Sequence, residues 1–205
     1  MSLTVVAAFW AVSFLFVMTP GADWAYAISA GLRGRVVMPA VGGLLSGHLL
    51  ATLVVAAGVG GVVAGHPVVM LAMTIAGSAY LIWLGINLLR NPSRVQVGEA
   101  ERSASRARWA LKGACISGFN PKVFLLFLAL LPQFASPSYA WPVPVQIIVL
   151  GLVHAFSCGV VYLLVGFSSE SVLRARPHAA LLVSNFSGAA MIMVGLVLLA
   201  EQAFG

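Results

Sequence analysis

Few side chains in this sequence can do chemistry, and most of those few stand beside residues that break helices. Asp23 follows Thr19-Pro20-Gly21-Ala22, and Lys122 follows Asn120-Pro121. Pro20 and Pro121 lack the amide hydrogen a helix needs, and Pro121 also disfavours helix at Asn120. A carboxylate and an ammonium at two such breaks suit a zwitterion. Lys122 would match a carboxylate, and Asp23 would hold an ammonium group or carry a proton. The alternative for Asp23 is a simple interfacial carboxylate, and for Lys122 a side chain snorkelling toward water. His48 and His154 are isolated imidazoles, fit either to relay a proton or to hydrogen-bond in a core. Two lone histidines make no metal site. Gln133, after Pro132, and Asn185 offer amides for substrate or for bonds between helices.

The elements that carry these residues are written in the distribution of charge. Of 205 residues 61% are hydrophobic and 8% charged, against about 25% charged in an ordinary soluble domain. Asp, Glu, Lys and Arg are absent from 1–22, 36–89, 123–169 and 177–200. A membrane helix needs about 20 apolar residues. The outer runs therefore hold one span each and the inner runs two each, divided at His66-Pro67 and at the proline-rich stretch 136–144. The expected fold is an all-α membrane protein of six transmembrane helices, near 3–23, 37–63, 68–89, 113–134, 143–167 and 178–200. The first is read as a retained span rather than a signal peptide, because no basic segment precedes it.

All 11 Lys and Arg residues fall in the three segments between the charge-free runs. In a six-helix serpentine those segments share one side, which the positive-inside rule makes cytoplasmic. Both termini then lie outside. The net charge of +6 is thus a topology signal and not a nucleic-acid footprint. The longest connection, 90–112, contains Glu99, Arg102, Arg106 and Trp109, spaced for a short surface helix or for a plain loop. Trp24, Trp109 and Trp141 sit near expected interfaces, as an aromatic belt does. Cys115 and Cys158 form no CxxC pattern, and no disulfide is expected of them.

An internal repeat is faintly visible. Residues 78–89 and 188–199 agree at five of twelve positions, Gly85 aligning with Gly195. His48 pairs with His154 and Pro20 with Pro132, so the offsets of 110, 106 and 112 are nearly constant. Two three-helix halves, 1–89 and 113–205, would be joined by the cytoplasmic loop 90–112 in a single transporter domain. Three spans end on the side opposite their start, so the second half is inverted. Inverted repeats with a site between them are a recurrent plan of secondary transporters. Gly42, Gly43 and Gly47 are assigned to close helix packing.

Helix length places Lys122. From a start near Lys112 it lies about 15 Å into the fourth helix, near the middle of a hydrocarbon core about 30 Å thick. A helix starting at Lys122 would run only about 20 Å before Ser136, too short to span. Freed backbone groups at that depth must line a cavity or find protein partners. No HExxH, GxSxG or GxxxxGK[ST] occurs, so neither an enzyme nor an ATP-driven pump is expected, and no cofactor.

The same segments resemble the LysE/RhtB family of bacterial amino-acid exporters. Pro20-Gly21-Ala22-Asp23 is similar to the family's Pro-Gly-Pro-Asn turn, and Gly31-Leu32-Arg33-Gly34-Arg35 to its following loop. Gly77 to Gly85 is similar to Gly-x-Ala-Tyr-Leu-x-x-x-Gly, and Asn120-Pro121-Lys122 with Leu131-Pro132-Gln133-Phe134 to the fourth-helix signature. The resemblance implies export of amino acids or related metabolites across the bacterial plasma (inner) membrane, driven by proton antiport. Ala22 and Asp23 depart from the family's Pro and Asn, adding a charge at the first turn. The implied partners are an amino-acid-like substrate, protons and the bilayer, with a homo-oligomer left open. Two other readings remain. A thiol–disulfide electron carrier would need cysteines at matching places in the halves, which Cys115 and Cys158 do not occupy. A non-transporting assembly subunit would move nothing when reconstituted alone.

Overall fold

A computed structural model describes residues 1–31, 33, 35–63, 67–90, 105–169 and most of 185–200. The side chains of some helical residues, Pro121 and Lys122 among them, lie outside that description. So do His66, residues 91–104 with Arg94, Glu99 and Arg102, and the segment carrying Arg174 and Arg176. The described residues are helical or in turns, with no strand among them.

Helix α1 (Leu3–Met18) starts at Ser2, whose hydroxyl accepts the Val5 N–H at 3.4 Å. Pro20 ends it. In a continued helix the proline would leave the Phe16 carbonyl unpaired and crowd it. Instead the Thr19 N–H donates to that carbonyl at 3.1 Å. The chain resumes as α2 (Ala22–Gly31), bent by 63° from α1. The expected first span is therefore two helices.

Helix α3 (Val37–Val63) and helix α4 (Pro67–Arg90) follow, within a residue of the second and third expected spans. Helix α5 (Arg106–Gly118) then begins seven residues before the expected fourth span. Ser105 accepts the Arg108 N–H at 3.3 Å and caps it. Trp109, Gly113 and Ser117 recur every fourth residue and are buried, forming one continuous inward stripe. Arg106 and Trp109 accordingly belong to α5. Trp109 is not a belt residue, being 6% exposed. Trp141, by contrast, is exposed.

Phe119 and Asn120 separate α5 from α6 (Pro121–Leu130), confirming a broken helix at this point. The Asn120 N–H turns back to the Ser117 carbonyl at 3.2 Å, while the Asn120 carbonyl accepts the Val123 and Phe124 N–H groups. Pro121 occupies the first helical position, where its missing hydrogen is harmless. A 3₁₀ turn, Leu131–Phe134, follows, and then α7 (Val143–Phe167). The described residues between 185 and 200 are helical.

By length and apolar composition, Val37–Gly58 and Val143–Phe167 can each cross a membrane, and α1 with α2 can cross as one bent span. Helix α3 packs mainly on α5 and α7, α2 on α7, and α4 on α6. The α3–α5 seam is made of small residues. A Cβ on Gly43 would lie 2.0 Å from the Ala110 carbonyl oxygen, and one on Gly113 would lie 2.6 Å from that of Ala40. Gly47 also meets α5, whereas a Cβ on Gly42 would meet nothing within 4 Å.

Two apolar clusters flank the middle of the bundle. One holds Phe9, Phe127, Leu130, Ile147 and Leu150. The other holds Val17, Ile28, Leu44, Trp109 and Val161. The buried His48 ring packs against a member of each, Phe127 of the first and Tyr162 of the second.

Candidate functional site

Asp23 stands in the first turn of α2, directly after the proline break, and is 7% exposed. An acid suits the positive end of a helix. Its Oδ2 accepts the Tyr162 hydroxyl at 3.2 Å and lies 3.5 Å from His48 Nε2. Its Oδ1 is buried and has no hydrogen-bond partner among the described residues. Such a buried unpaired acceptor costs about 1–3 kcal/mol, more when charged, so this atom is prepared for a donor or a cation.

His48 projects from α3, and its Nδ1 lies 3.2 Å from the Leu44 carbonyl. A carbonyl only accepts, so Nδ1 carries a hydrogen. In a neutral imidazole Nε2 then presents a lone pair to the Asp23 carboxylate. His154 projects from α7 toward the same point. The two imidazole centroids are 5.4 Å apart with planes 14° from parallel. Ser13 Oγ lies 2.6 Å from His154 Nδ1, and Cys158 Sγ lies 3.3 Å from His154 Nε2. Phe127 packs edge-on against both rings, at 6.0 Å from His48 and 5.0 Å from His154.

A cavity opens on this group. Thr19, Gly21, Ala22 and Asp23 line it from the first break, and Asn120 and Val123 from the second. His48, His154 and Tyr162 form its polar floor, and Phe16, Val17, Trp24, Leu126 and Phe127 its apolar wall. Of the residues singled out in sequence, Gly21, Asp23, His48, Asn120 and His154 therefore converge. Pro20 shapes the break without lining the cavity. Pro121 and Lys122 open α6 immediately beside Asn120, with side chains outside the described set. Gln133 sits in the 3₁₀ turn and Asn185 is exposed, and neither lines the cavity.

Sequence reasoning did not place Tyr162, Cys158 or Ser13 in the site. A signal was present for two of them. His154, Cys158 and Tyr162 recur every fourth residue and so share one face of α7. Ser13 carries no such mark, because only the α1–α7 contact brings it to His154. The pair His48 and His154 does acquire a third potential metal donor in Cys158. One ligand atom from each of the three lies within 4.8 Å of the others.

At the α2–α5 contact, the Tyr26 hydroxyl donates to the Trp109 carbonyl at 2.7 Å. The Arg33 guanidinium carbon lies 5.9 Å from the Trp109 ring centre, a cation–π distance.

The family model for the LysE type translocator matches residues 14–202. The chain belongs to the LysE type translocator family. It is thus a multi-pass membrane protein of a translocator family and not an enzyme. Among its relatives is a homoserine/homoserine lactone efflux protein of Salmonella typhimurium, 29% identical over 61% of this chain and 59% of its own length. A cysteine/O-acetylserine efflux protein of Escherichia coli K12 is 25% identical over 76% of this chain and 80% of its own length. A membrane protein of Vibrio cholerae is 29% identical over 67% of each chain. The chain thus spans less than two thirds of the homoserine relative. No solved structure matches. In this LysE-type chain the breaks at Pro20 and at Asn120-Pro121 meet at the Asp23 cavity.

Proposed function

We propose that the chain is a secondary exporter of amino acids or related small metabolites, coupled to protons, in the bacterial plasma membrane. The observation that carries this reading is the buried Asp23 carboxylate, with one oxygen unpartnered among the described residues, in a cavity between two broken helices. That oxygen receives the substrate ammonium. Lys122, in the first turn of α6, matches the substrate carboxylate. A proton bound between Asp23 and His48 is released when the ammonium arrives, which couples the two fluxes. The efflux names of the relatives agree with this direction of transport.

The architecture proposed with it is six spans in two inverted halves, with both termini outside. Contacts between α4 and residues 185–200 support the repeat. With Ser78 aligned to Gly188 and Gly85 to Gly195, the contacts should recur when the halves are exchanged. A Cβ on Gly85 would lie 2.5 Å from Gly188 O and 2.7 Å from Ile192 Cγ1. A Cβ on Gly195 would lie 2.8 Å from Ser78 O and 2.7 Å from Ile82 Cγ1. Each contact is the exchange partner of the other. His48 and His154 face each other in the same manner. The break at Asn120-Pro121 then answers that at Pro20, since α2 and α6 each follow a break and precede a long helix. Pro132 falls in the 3₁₀ turn instead.

The test is flux in liposomes holding the purified chain alone. Neutral, basic and sulfur-containing amino acids are compared with and without a proton gradient. Gradient-dependent movement of one class is expected. No movement of any of them by correctly inserted protein would refute the reading.

A further inference from the structure

We propose that the floor of this cavity is a binding site for a thiophilic divalent cation of the zinc and cadmium type. Its donors are Asp23, His48, His154 and Cys158, and the proposal stands on their geometry whatever substrate the chain carries.

The donors come from three helices. His154 and Cys158 stand one turn apart on α7, a spacing that lets two side chains grip one ion, as in helical zinc motifs. His48 comes from α3 and Asp23 from α2. A tetrahedral zinc site has metal–nitrogen and metal–oxygen bonds near 2.0 Å and metal–sulfur bonds near 2.3 Å, so its donors are about 3.3–3.8 Å apart. Here Cys158 Sγ and His154 Nε2 are 3.3 Å apart, and His48 Nε2 and Asp23 Oδ2 are 3.5 Å apart. The histidine and cysteine donors all lie within 4.8 Å of one another, and Asp23 joins them through the approach of its Oδ2 to His48.

The surroundings also suit an ion. Ligating imidazoles usually engage their second nitrogen with an oxygen, which fixes the ring and frees the first. His48 Nδ1 meets the Leu44 carbonyl, and His154 Nδ1 meets Ser13 Oγ. His48 Nε2 and the Asp23 carboxylate, both acceptors, then face each other across a gap that a cation would bridge. Asp23 Oδ1 supplies a further sign of a missing partner, belonging to a cavity-lining residue and being buried and unpartnered among the described residues.

The charges balance. The ion displaces the Cys158 thiol proton, which leaves through the cavity, and one S–H bond is exchanged for one metal–sulfur bond. A dication with one thiolate, one carboxylate and two neutral imidazoles is neutral overall, as a site in a low-dielectric interior should be. One thiolate with two imidazoles favours zinc or cadmium over magnesium or calcium, which prefer oxygen donors. The ion sits where an incoming ammonium would approach Asp23, so it would also block the cavity.

The test uses the full chain bearing Cys115→Ser, purified without a histidine tag and titrated with cobalt(II) as the probe. Cys158 is then the one thiol present. The expected result is one cobalt per chain, with intense tetrahedral visible bands and a thiolate-to-cobalt charge-transfer band, all displaced by zinc. His48→Gln and His154→Gln should each weaken binding about tenfold or more. Absence of the charge-transfer band in monodisperse protein would overturn the proposal, as would a band unchanged by both histidine replacements. Neither result bears on whether amino acids are carried.

Discussion

The Tyr162 hydroxyl reaches across from α7 to donate to Asp23 Oδ2 at 3.2 Å, while the second oxygen of that carboxylate is buried without a partner among the described residues. One oxygen is therefore held in place, and in the proposed transport the other receives the ligand. Asp23→Asn keeps the shape but removes the charge. It should lower flux about tenfold or more, since a hydrogen bond to a charged group contributes about 1.5–3 kcal/mol. Tyr162→Phe should weaken transport less, because it frees the carboxylate without neutralising it. Initial rates in proteoliposomes measure both, and equal rates for wild type and Asp23→Asn would remove Asp23 from the site.

Lys122 opens α6 beside Asn120, which lines the cavity. Lys122→Met retains the stem and deletes the charge. Transport should be abolished while membrane insertion, followed by protease protection, is unchanged. Near-normal flux in an inserted Lys122→Met protein would return this residue to a snorkelling role.

The α3–α5 seam predicts a contrast between glycines. Gly113→Val must push the Ala40 carbonyl aside, because even a Cβ would lie 2.6 Å from it. Overpacking of this kind costs about 1–3 kcal/mol, which should lower the Tm in detergent by several degrees. Gly42→Ala adds its methyl where nothing lies within 4 Å. It should leave the Tm unchanged or raise it slightly, since alanine is the better helix former by about 1 kcal/mol. A Tm lowered equally by both changes would contradict the packing described.

The exchange symmetry around Gly85 and Gly195 makes a quantitative demand. Each would drive a new Cβ into an isoleucine Cγ1 at 2.7 Å. Gly85→Leu and Gly195→Leu should therefore destabilise the protein by similar amounts, and the double variant by less than the sum, because both wedge the same interface. Thermal unfolding of the three variants reads this directly. A large effect of one with none of the other would deny the two-fold relation.

Much of the helical plan was legible because a membrane helix advertises itself by the absence of charge. The bounds of α3, α4 and α7 follow from that signal almost to the residue. The breaks at Pro20 and Pro121 were legible too, since proline removes a hydrogen bond wherever it falls in a helix. The start of α5 was not. Its first turns carry Arg106, Arg108 and Lys112, and a charged outer face hides the buried Trp109–Gly113–Ser117 stripe from a reading based on charge-free runs. The amides of Gln133 and Asn185 stood out in the sequence, yet neither lines this cavity. A polar residue in an apolar chain is conspicuous whether it faces a cavity or another surface, and only helix rotation distinguishes the two.

From the amino acids alone come the apolar helices, the two breaks, and the short roster of polar residues worth inspecting. These are local consequences of side-chain hydropathy and proline stereochemistry. Which of those residues meet was decided by the tertiary structure. His48 and His154 are separated by over a hundred positions, and no local rule brings them together. They face each other because α3 and α7 cross closely, where Gly151 lets Thr52 approach: a Cβ there would lie 2.2 Å from Thr52 Cγ2. That crossing places the Asp23 carboxylate against His48 and turns scattered polar residues into one buried cluster at the floor of a cavity.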